Sequence, residues 1–278
     1  MRRHANLAAA AASAAAVAVL AAAVTLAGRT ETGPAGQVQP PPAVDVTVEA
    51  RALQPGEVVV LTVTTAEPAD AVRIRAFGRA WTPFRTEPRV WQAVLGIDLD
   101  TAIGAHDVGI EVHRGGAVDR ATRSLEVTDK KFRTRTLTVD NAFVNPPASA
   151  QTRIRDEAAE LGRLWRESAP DRLWRGPFAS PVPHAANSAF GSRSVFNGQA
   201  RSPHGGADFA SPAGTPVKAP AAGRIVLARD LYYTGGTVMI DHGLEVVSLF
   251  AHLSSIDAKV GGIVEPGQVV GRVGATGR

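Results

Sequence analysis

Cysteine is missing from all 278 residues. That excludes disulfides, thiolate metal ligands and cysteine nucleophiles, so any metal site has to be built from His, Asp and Glu. Aromatic residues are scarce at 5%, and only 20% of the chain is charged. The 30 Lys and Arg stand against 26 Asp and Glu, a net charge of +4, and no dense basic stripe accompanies that excess. The one basic run, Lys130-Lys131-Phe132-Arg133-Thr134-Arg135, reads equally as a solvated strand, so nucleic acid is set aside as a partner. What the chain does have is 45% hydrophobic residues, 27 Gly and 19 Pro. That is enough apolar material to exclude global disorder, and enough turn residues for a mainly β chain. The length predicts one large or two modest domains.

The N-terminus has the layout of an export signal. Met1-Arg2-Arg3-His4 is a short positive segment, and residues 5–27 then carry no charge, with 14 Ala among those 23 positions. Ala inserts into a bilayer less readily than Leu or Ile, so a cleaved signal over 1–28 is expected, and an uncleaved anchor is the alternative. Ala21-Ala22-Ala23 and Leu26-Ala27-Gly28 offer small residues for cleavage, and the lack of Cys excludes bacterial lipidation. The mature protein is then expected in the periplasm or cell envelope, or secreted, with no membrane span. Residues 29–43, with Pro40-Pro41-Pro42, read as a linker.

From Val44 onward the period is two. Val44, Val46 and Val48 alternate with Asp45, Thr47 and Glu49; further runs are Val58 to Val63, Val72 to Ala76, Val90 to Ile97, Val108 to Val112 and Leu125 to Val127. About seven short strands separated by turn signals predict an immunoglobulin-like sandwich over 44–140. The run Phe132 to Val139 either closes it or starts a connector. The period changes in residues 150–168, where Ile154, Ala158, Leu161 and Trp165 mark one helical face before Pro170. Trp165 and Trp174 are therefore expected in a core or seam, within a connector over 141–186. Strands return after residue 187. Asn197-Gly198 signals a two-residue hairpin, and Val217 to Ala219, Gly223 to Arg229, Thr237 to Asp241, Glu245 to Phe250 and Val269 to Val273 read as strands.

One stretch suggests chemistry. Arg201-Ser202-Pro203-His204-Gly205-Gly206-Ala207-Asp208-Phe209 holds an imidazole and a carboxylate four residues apart, with small residues between them. Zinc accepts both groups in a tetrahedral shell. The spacing alone is weak, because a turn in which Asp208 bonds backbone amides satisfies it equally well. Downstream stand Gly214-Thr215-Pro216-Val217, Val238-Met239-Ile240-Asp241-His242-Gly243, Leu249-Phe250-Ala251-His252-Leu253-Ser254 and Val273-Gly274-Ala275-Thr276-Gly277-Arg278. With these motifs in order, residues 187–278 resemble the lysostaphin/LytM-type zinc metallopeptidases, the peptidoglycan endopeptidases of bacteria. The preceding sandwich resembles an accessory domain found before this catalytic domain in some members.

The resemblance implies an antiparallel β-sheet peptidase domain, a Zn2+ cofactor and a peptidoglycan peptide as substrate. It implies that His204 and Asp208 are zinc ligands and that His252 is catalytic, acting as a proton carrier or as a hydrogen-bond donor to the oxyanion. It also implies a further H-x-H motif just beyond a GxTGR stretch, supplying one catalytic His and one ligand. Residue 278 precedes that motif, so the expectation is a peptidase domain incomplete at its C-terminus and inactive as it stands. His4, His106, His113, His184 and His242 receive no ligand role. Tyr232 and Tyr233 either line the groove or pack on a loop, and Arg193 reads as a surface residue.

Two rival functions remain to be weighed. A non-catalytic module of this family, binding the wall or activating a cell-wall amidase, typically loses metal ligands, whereas His204, Asp208 and His252 are all present. A biotinyl- or lipoyl-type carrier needs a Lys at a hairpin tip. Lys259 lies before the Gly261-Gly262 turn instead.

Overall fold

Val59, Leu61 and Val63 alternate with Val58, Val60 and Thr62, and the first set is fully buried. Such alternation, repeated along the first half of the chain, gives eight strands in the computed structural model, which describes residues 43–138, 145–187 and 190–277. They are β1 (Val44–Ala50), β2 (Val58–Thr65), β3 (Ala71–Ala76), β4 (Arg79–Trp81), β5 (Phe84–Glu87), β6 (Val90–Gly96), β7 (Gly104–Arg114) and β8 (Ala117–Val127). The expected signal over 1–28 and nearly all of the expected linker lie outside the described residues.

These strands form two four-stranded antiparallel sheets, ordered β1-β2-β6-β5 and β4-β3-β7-β8. One core fills the space between them, with Leu61, Ile74, Leu95, Ile110 and Leu125 among its members. Each large aliphatic side chain so buried contributes about 1.5–3 kcal/mol relative to exposure. Lettered in chain order with β4 as C′, the two sheets read A-B-E-D and C′-C-F-G, the strand order of an immunoglobulin sandwich. β4 and β5 are short, largely polar additions to the expected set.

The run after the sandwich neither closes it nor remains irregular. β9 (Thr134–Leu137) pairs in parallel with β10 (Arg193–Phe196), which forms a hairpin with β11 (Gln199–Ala200). Asn197 and Gly198 form the turn with φ of 50° and 80°, the left-handed pair that a two-residue hairpin requires.

Between β9 and β10 lies one helix, α1 (Ala148–Leu164). Its docked side overlaps the expected face only in part: Leu161 packs on the core and Ile154 is half-buried. Glu157 and Leu164 are buried, Ala158 is exposed and Trp165 is 47% exposed. Trp165 is therefore neither core nor seam. The helix ends before it, and the following chain is drawn away as the Ala169 N–H donates to the Asp241 carboxylate. Trp174 does sit at a seam, with Phe84 of β5 at 5.7 Å on one side and Phe178 at 6.0 Å on the other. Arg172 stacks over Phe84 at 4.5 Å, and Arg79 of β4 pairs with Glu245. By their contacts, residues Pro41–Arg278 form one unit.

The remaining strands are β12 (Pro216–Lys218), β13 (Gly223–Leu231), β14 (Gly235–Asp241), β15 (Val247–Leu253), β16 (Ser255–Ile256), β17 (Ile263–Val264) and β18 (Val269–Arg272). They make an antiparallel sheet ordered β15-β14-β13-β17 and a small one ordered β12-β18-β16. Every residue of β14 is buried, because both of its faces are covered. Val238 and Ile240 point into a core with Val217, Ile225 and Val270, while Met239 packs on the other side with Leu227, Leu231 and Leu164 of α1. No described helix is long and apolar enough to cross a membrane.

Candidate metal centre and groove

His204 and Asp208 leave the β10–β11 hairpin on a loop that is clamped from one side. The Gly191 N–H donates to the His204 carbonyl at 2.8 Å, and the His204 N–H donates to Ser192 at 2.9 Å. At the other end, the Asn187 N–H donates to the Asp208 carbonyl at 2.8 Å, and Phe209 bridges Ala186 while packing on the sheet core. The intervening Gly205-Gly206-Ala207 turns the chain so that the two side chains converge. Nε2 of His204 lies 3.3 Å from Oδ1 of Asp208, and both side chains are substantially exposed.

That geometry fits zinc. Two donors each about 2.0–2.2 Å from a common tetrahedral ion stand about 3.4 Å apart. Among the described residues, Nδ1 of His204 is buried without a hydrogen-bond partner, so no bond there commits this nitrogen to another task. His242 is the contrast. It is fully buried, its Nδ1–H donates to Ala222 at 2.7 Å, and its Nε2 accepts from the Ser248 hydroxyl at 2.9 Å. Burial holds its pKa below the ordinary imidazole value despite the Ala222 bond and the nearby Asp241. It is a satisfied core residue with no nitrogen left for a metal. Among the described residues, no group of three or more His, Asp or Glu could hold an ion.

His252 is presented by a break in the β14–β15 ladder. Gly236 faces Leu253 and Val238 faces Phe250, so Ala251 and His252 together oppose Thr237. The bulge puts His252 at φ 59°, uncommon for a non-glycine residue and typical of functional positions. Its backbone N–H donates to Thr234 at 2.7 Å, and its Nδ1 lies 2.7 Å from the carbonyl oxygen of Thr276. A carbonyl only accepts, so the proton sits on Nδ1 and the neutral ring keeps Nε2 as its basic nitrogen. The described contacts do not join His252 to His204 or Asp208. His252 is exposed.

Thr276 is a site residue that composition and spacing did not single out. Its hydroxyl donates to the Leu253 carbonyl at 2.8 Å and accepts the Gly236 N–H at 2.9 Å, which pins it across the bulge. Gly235, at φ 59°, lies so close to it that a Cβ there would overlap the Thr276 side chain and the following amide. Its place in the Gly-Ala-Thr-Gly-Arg motif was the available signal.

An open groove of about 550 Å³ is lined by Ala200, Arg201, Ser202 and Tyr233, the last of which precedes the Thr234 that anchors His252. Tyr233 stands on the β13–β14 turn, edge-on to Tyr232 at 5.0 Å. The Arg201 guanidinium lies 6.0 Å over the Phe196 ring and forms no ion pair among the described residues. Arg193 is exposed, as expected. A second cavity, of about 520 Å³, lies on the sandwich beside Phe77, Asp98, Asp100, His106 and Asp107. His106 there donates to the Ala102 carbonyl at 2.6 Å.

Comparison with known proteins supplies the family. Residues 202–278 match the model of peptidase family M23. The segment is 45% identical over 76 residues to the peptidoglycan DD-endopeptidase ShyA of Vibrio cholerae, covering 27% of this chain and 18% of that protein. A longer match, 35% over 133 residues, is to the cell division protein DipM of Caulobacter vibrioides, covering 48% of this chain and 20% of that one. The chain thus spans about a fifth of the length of these curated relatives. A solved structure from Pseudomonas aeruginosa, described as a candidate M23 peptidase, is 35% identical, with a TM-score of 0.62. That alignment covers 81% of this chain and 85% of the other.

Proposed function

The chain belongs to peptidase family M23, and from that premise we propose that it is a zinc-dependent endopeptidase cutting the peptide cross-links of bacterial peptidoglycan. The observation that carries this reading is the 3.3 Å approach of His204 Nε2 to Asp208 Oδ1, the edge of a tetrahedral zinc site. Peptidoglycan as substrate is supported by the name of the Vibrio cholerae relative.

His204 and Asp208 would hold the metal, which when bound would supply Lewis acidity to activate water at neutral pH and to polarise the scissile carbonyl. They are two of the three protein donors that a catalytic zinc ordinarily keeps. His252 takes up or returns a proton at Nε2, with its tautomer fixed by the Thr276 carbonyl. Arg201 and Tyr233 bind and orient the peptide in the groove. We further propose export to the cell envelope, supported by Arg2-Arg3 and the 23 uncharged residues that follow His4.

A second reading, a non-catalytic module that binds the wall or activates an amidase, is favoured by one observation. The described residues gather no group of three potential ligands. Zinc stoichiometry and the conversion of cross-linked muropeptides to uncross-linked ones, read in a chain extended through an H-x-H motif, separate the two. One bound zinc with hydrolysis supports the peptidase. Wall binding without either supports the module.

A further inference from the structure

We propose that Glu157 of α1, a helix outside the sheet that carries the site, is a positioning residue for the groove. Its carboxylate holds the β13–β14 turn that presents Tyr233 and anchors His252. Glu157 is a buried acid on a helix face, with its side chain 8% exposed. One oxygen accepts the backbone N–H of Tyr232 at 2.8 Å. The other accepts Arg153 Nε at 2.6 Å, and Arg229 of β13 stands 3.6 Å away. Arg153 also reaches Asp230 at 2.9 Å, and Arg229 pairs with Glu160. Two arginines thus neutralise a carboxylate whose task is to capture one amide.

That amide opens the turn Tyr232-Tyr233-Thr234, which joins β13 to β14. Tyr233 lines the groove, and the next carbonyl, of Thr234, receives the backbone N–H of His252 at 2.7 Å. Glu157 is therefore two residues of backbone away from the anchor that keeps His252 in its left-handed conformation. A buried ionised carboxylate is costly unless fully partnered, and an apolar residue would pack this helix position at lower cost. The carboxylate makes sense here because only an acceptor can hold the turn's first N–H. Burial would raise the Glu157 pKa, but the Tyr232 N–H and the arginines Arg153 and Arg229 outweigh it and keep the pKa below the ordinary carboxylate value.

The consequence for catalysis rests on the peptidase reading, but the geometry does not, and the test reads geometry. Amide hydrogen exchange is followed in the full chain for the parent, Glu157→Ala, Glu157→Gln and Leu164→Ala. Leu164 is buried on the same side of α1 and packs on Leu227, Leu231 and Met239, so its truncation loosens the helix without removing the acceptor. Glu157→Ala is expected to speed exchange at Tyr232 and His252 at least tenfold more than at Ile240 in the middle of β14. Glu157→Gln keeps an acceptor oxygen and restores most of the protection. Leu164→Ala leaves the ratio of turn to strand exchange near that of the parent. Should Glu157→Ala fail to fold, Glu157→Asp, which keeps the charge but retracts the carboxylate by one methylene, carries the same comparison. Uniform acceleration in both alanine variants would reduce Glu157 to a packing residue and overturn the proposal, as would unchanged exchange at Tyr232 and His252. Because no substrate or metal enters this readout, a chain extended through an H-x-H motif that hydrolyses nothing sinks the peptidase reading alone.

Discussion

The carbonyl oxygen of Thr276 and Nδ1 of His252 lie 2.7 Å apart, a bond that fixes which ring nitrogen is left to work. Thr276 is itself fixed by its hydroxyl, which bonds Leu253 and Gly236, the cross-strand pair that closes one end of the bulge. Thr276→Val keeps the shape and removes both bonds. Leaving the Gly236 N–H and the Leu253 carbonyl unpaired should cost about 1–3 kcal/mol, read as a lower Tm. In a hydrolysing form, turnover should drop roughly tenfold with zinc content unchanged, since loss of orientation costs rate rather than metal. Unaltered turnover would mean that Thr276 does not orient the ring.

The metal assignment is checked by three substitutions read with two instruments. In a chain extended through an H-x-H motif, His204→Ala and Asp208→Ala should each abolish stoichiometric zinc in elemental analysis. His252→Ala should retain zinc and lose about 10²–10⁴-fold in turnover through lost proton transfer. Zinc retained in both ligand variants would place the ion elsewhere.

Acid should weaken the fold in two stages. The pKa of His242 is depressed by burial, so the folded state resists a proton that the unfolded chain accepts, and the stability it lends is complete above the ordinary value of 6.5 and lost as pH falls below it. The depressed pKa values of Glu57 and Glu157 lend stability that is lost only on further acidification below 4.5. A thermal melt series should therefore show Tm declining already between pH 6.5 and 5 in the parent. His242→Gln, which can still donate to Ala222, should flatten that limb. A parent curve flat down to pH 5 contradicts this account.

Contacts across the seam should be unequal in strength. Trp174 is buried and touches two aromatic rings, so Trp174→Ala should cost about 3–5 kcal/mol. Arg79 and Glu245 form an ion pair with side chains 46% and 43% exposed, so Arg79→Ala should cost less than about 1 kcal/mol. Denaturant melts would reveal a reversed order.

Much of the fold was legible because alternation and one Asn-Gly pair carry it. The long sandwich strands and the β10–β11 hairpin lie where the pattern put them. The helix face was partly misread because hydrophobic periodicity does not credit an acid with burial, yet Glu157 is buried and Ala158 is not. Arg153, one turn before it, was the only local hint. His204 and Asp208 converge as their spacing suggested. The left-handed backbone at His252 was not legible, because it arises from a ladder irregularity set jointly by Gly236, Leu253 and Thr276, residues far apart in the chain. Thr276 was hidden for the same reason.

The parallel pairing of β9 with β10 matters for how the peptidase portion behaves once cut free. A fragment beginning after Leu137 would open a new edge on the hairpin of β10 and β11, leaving unpaired the N–H and C=O groups along Arg193–Phe196 that now face β9. An open strand edge is a template for a second copy. The chain that retains Thr134–Leu137 presents instead a four-residue edge, exposed throughout and largely polar, so the cut fragments should self-associate at lower concentration than the whole chain.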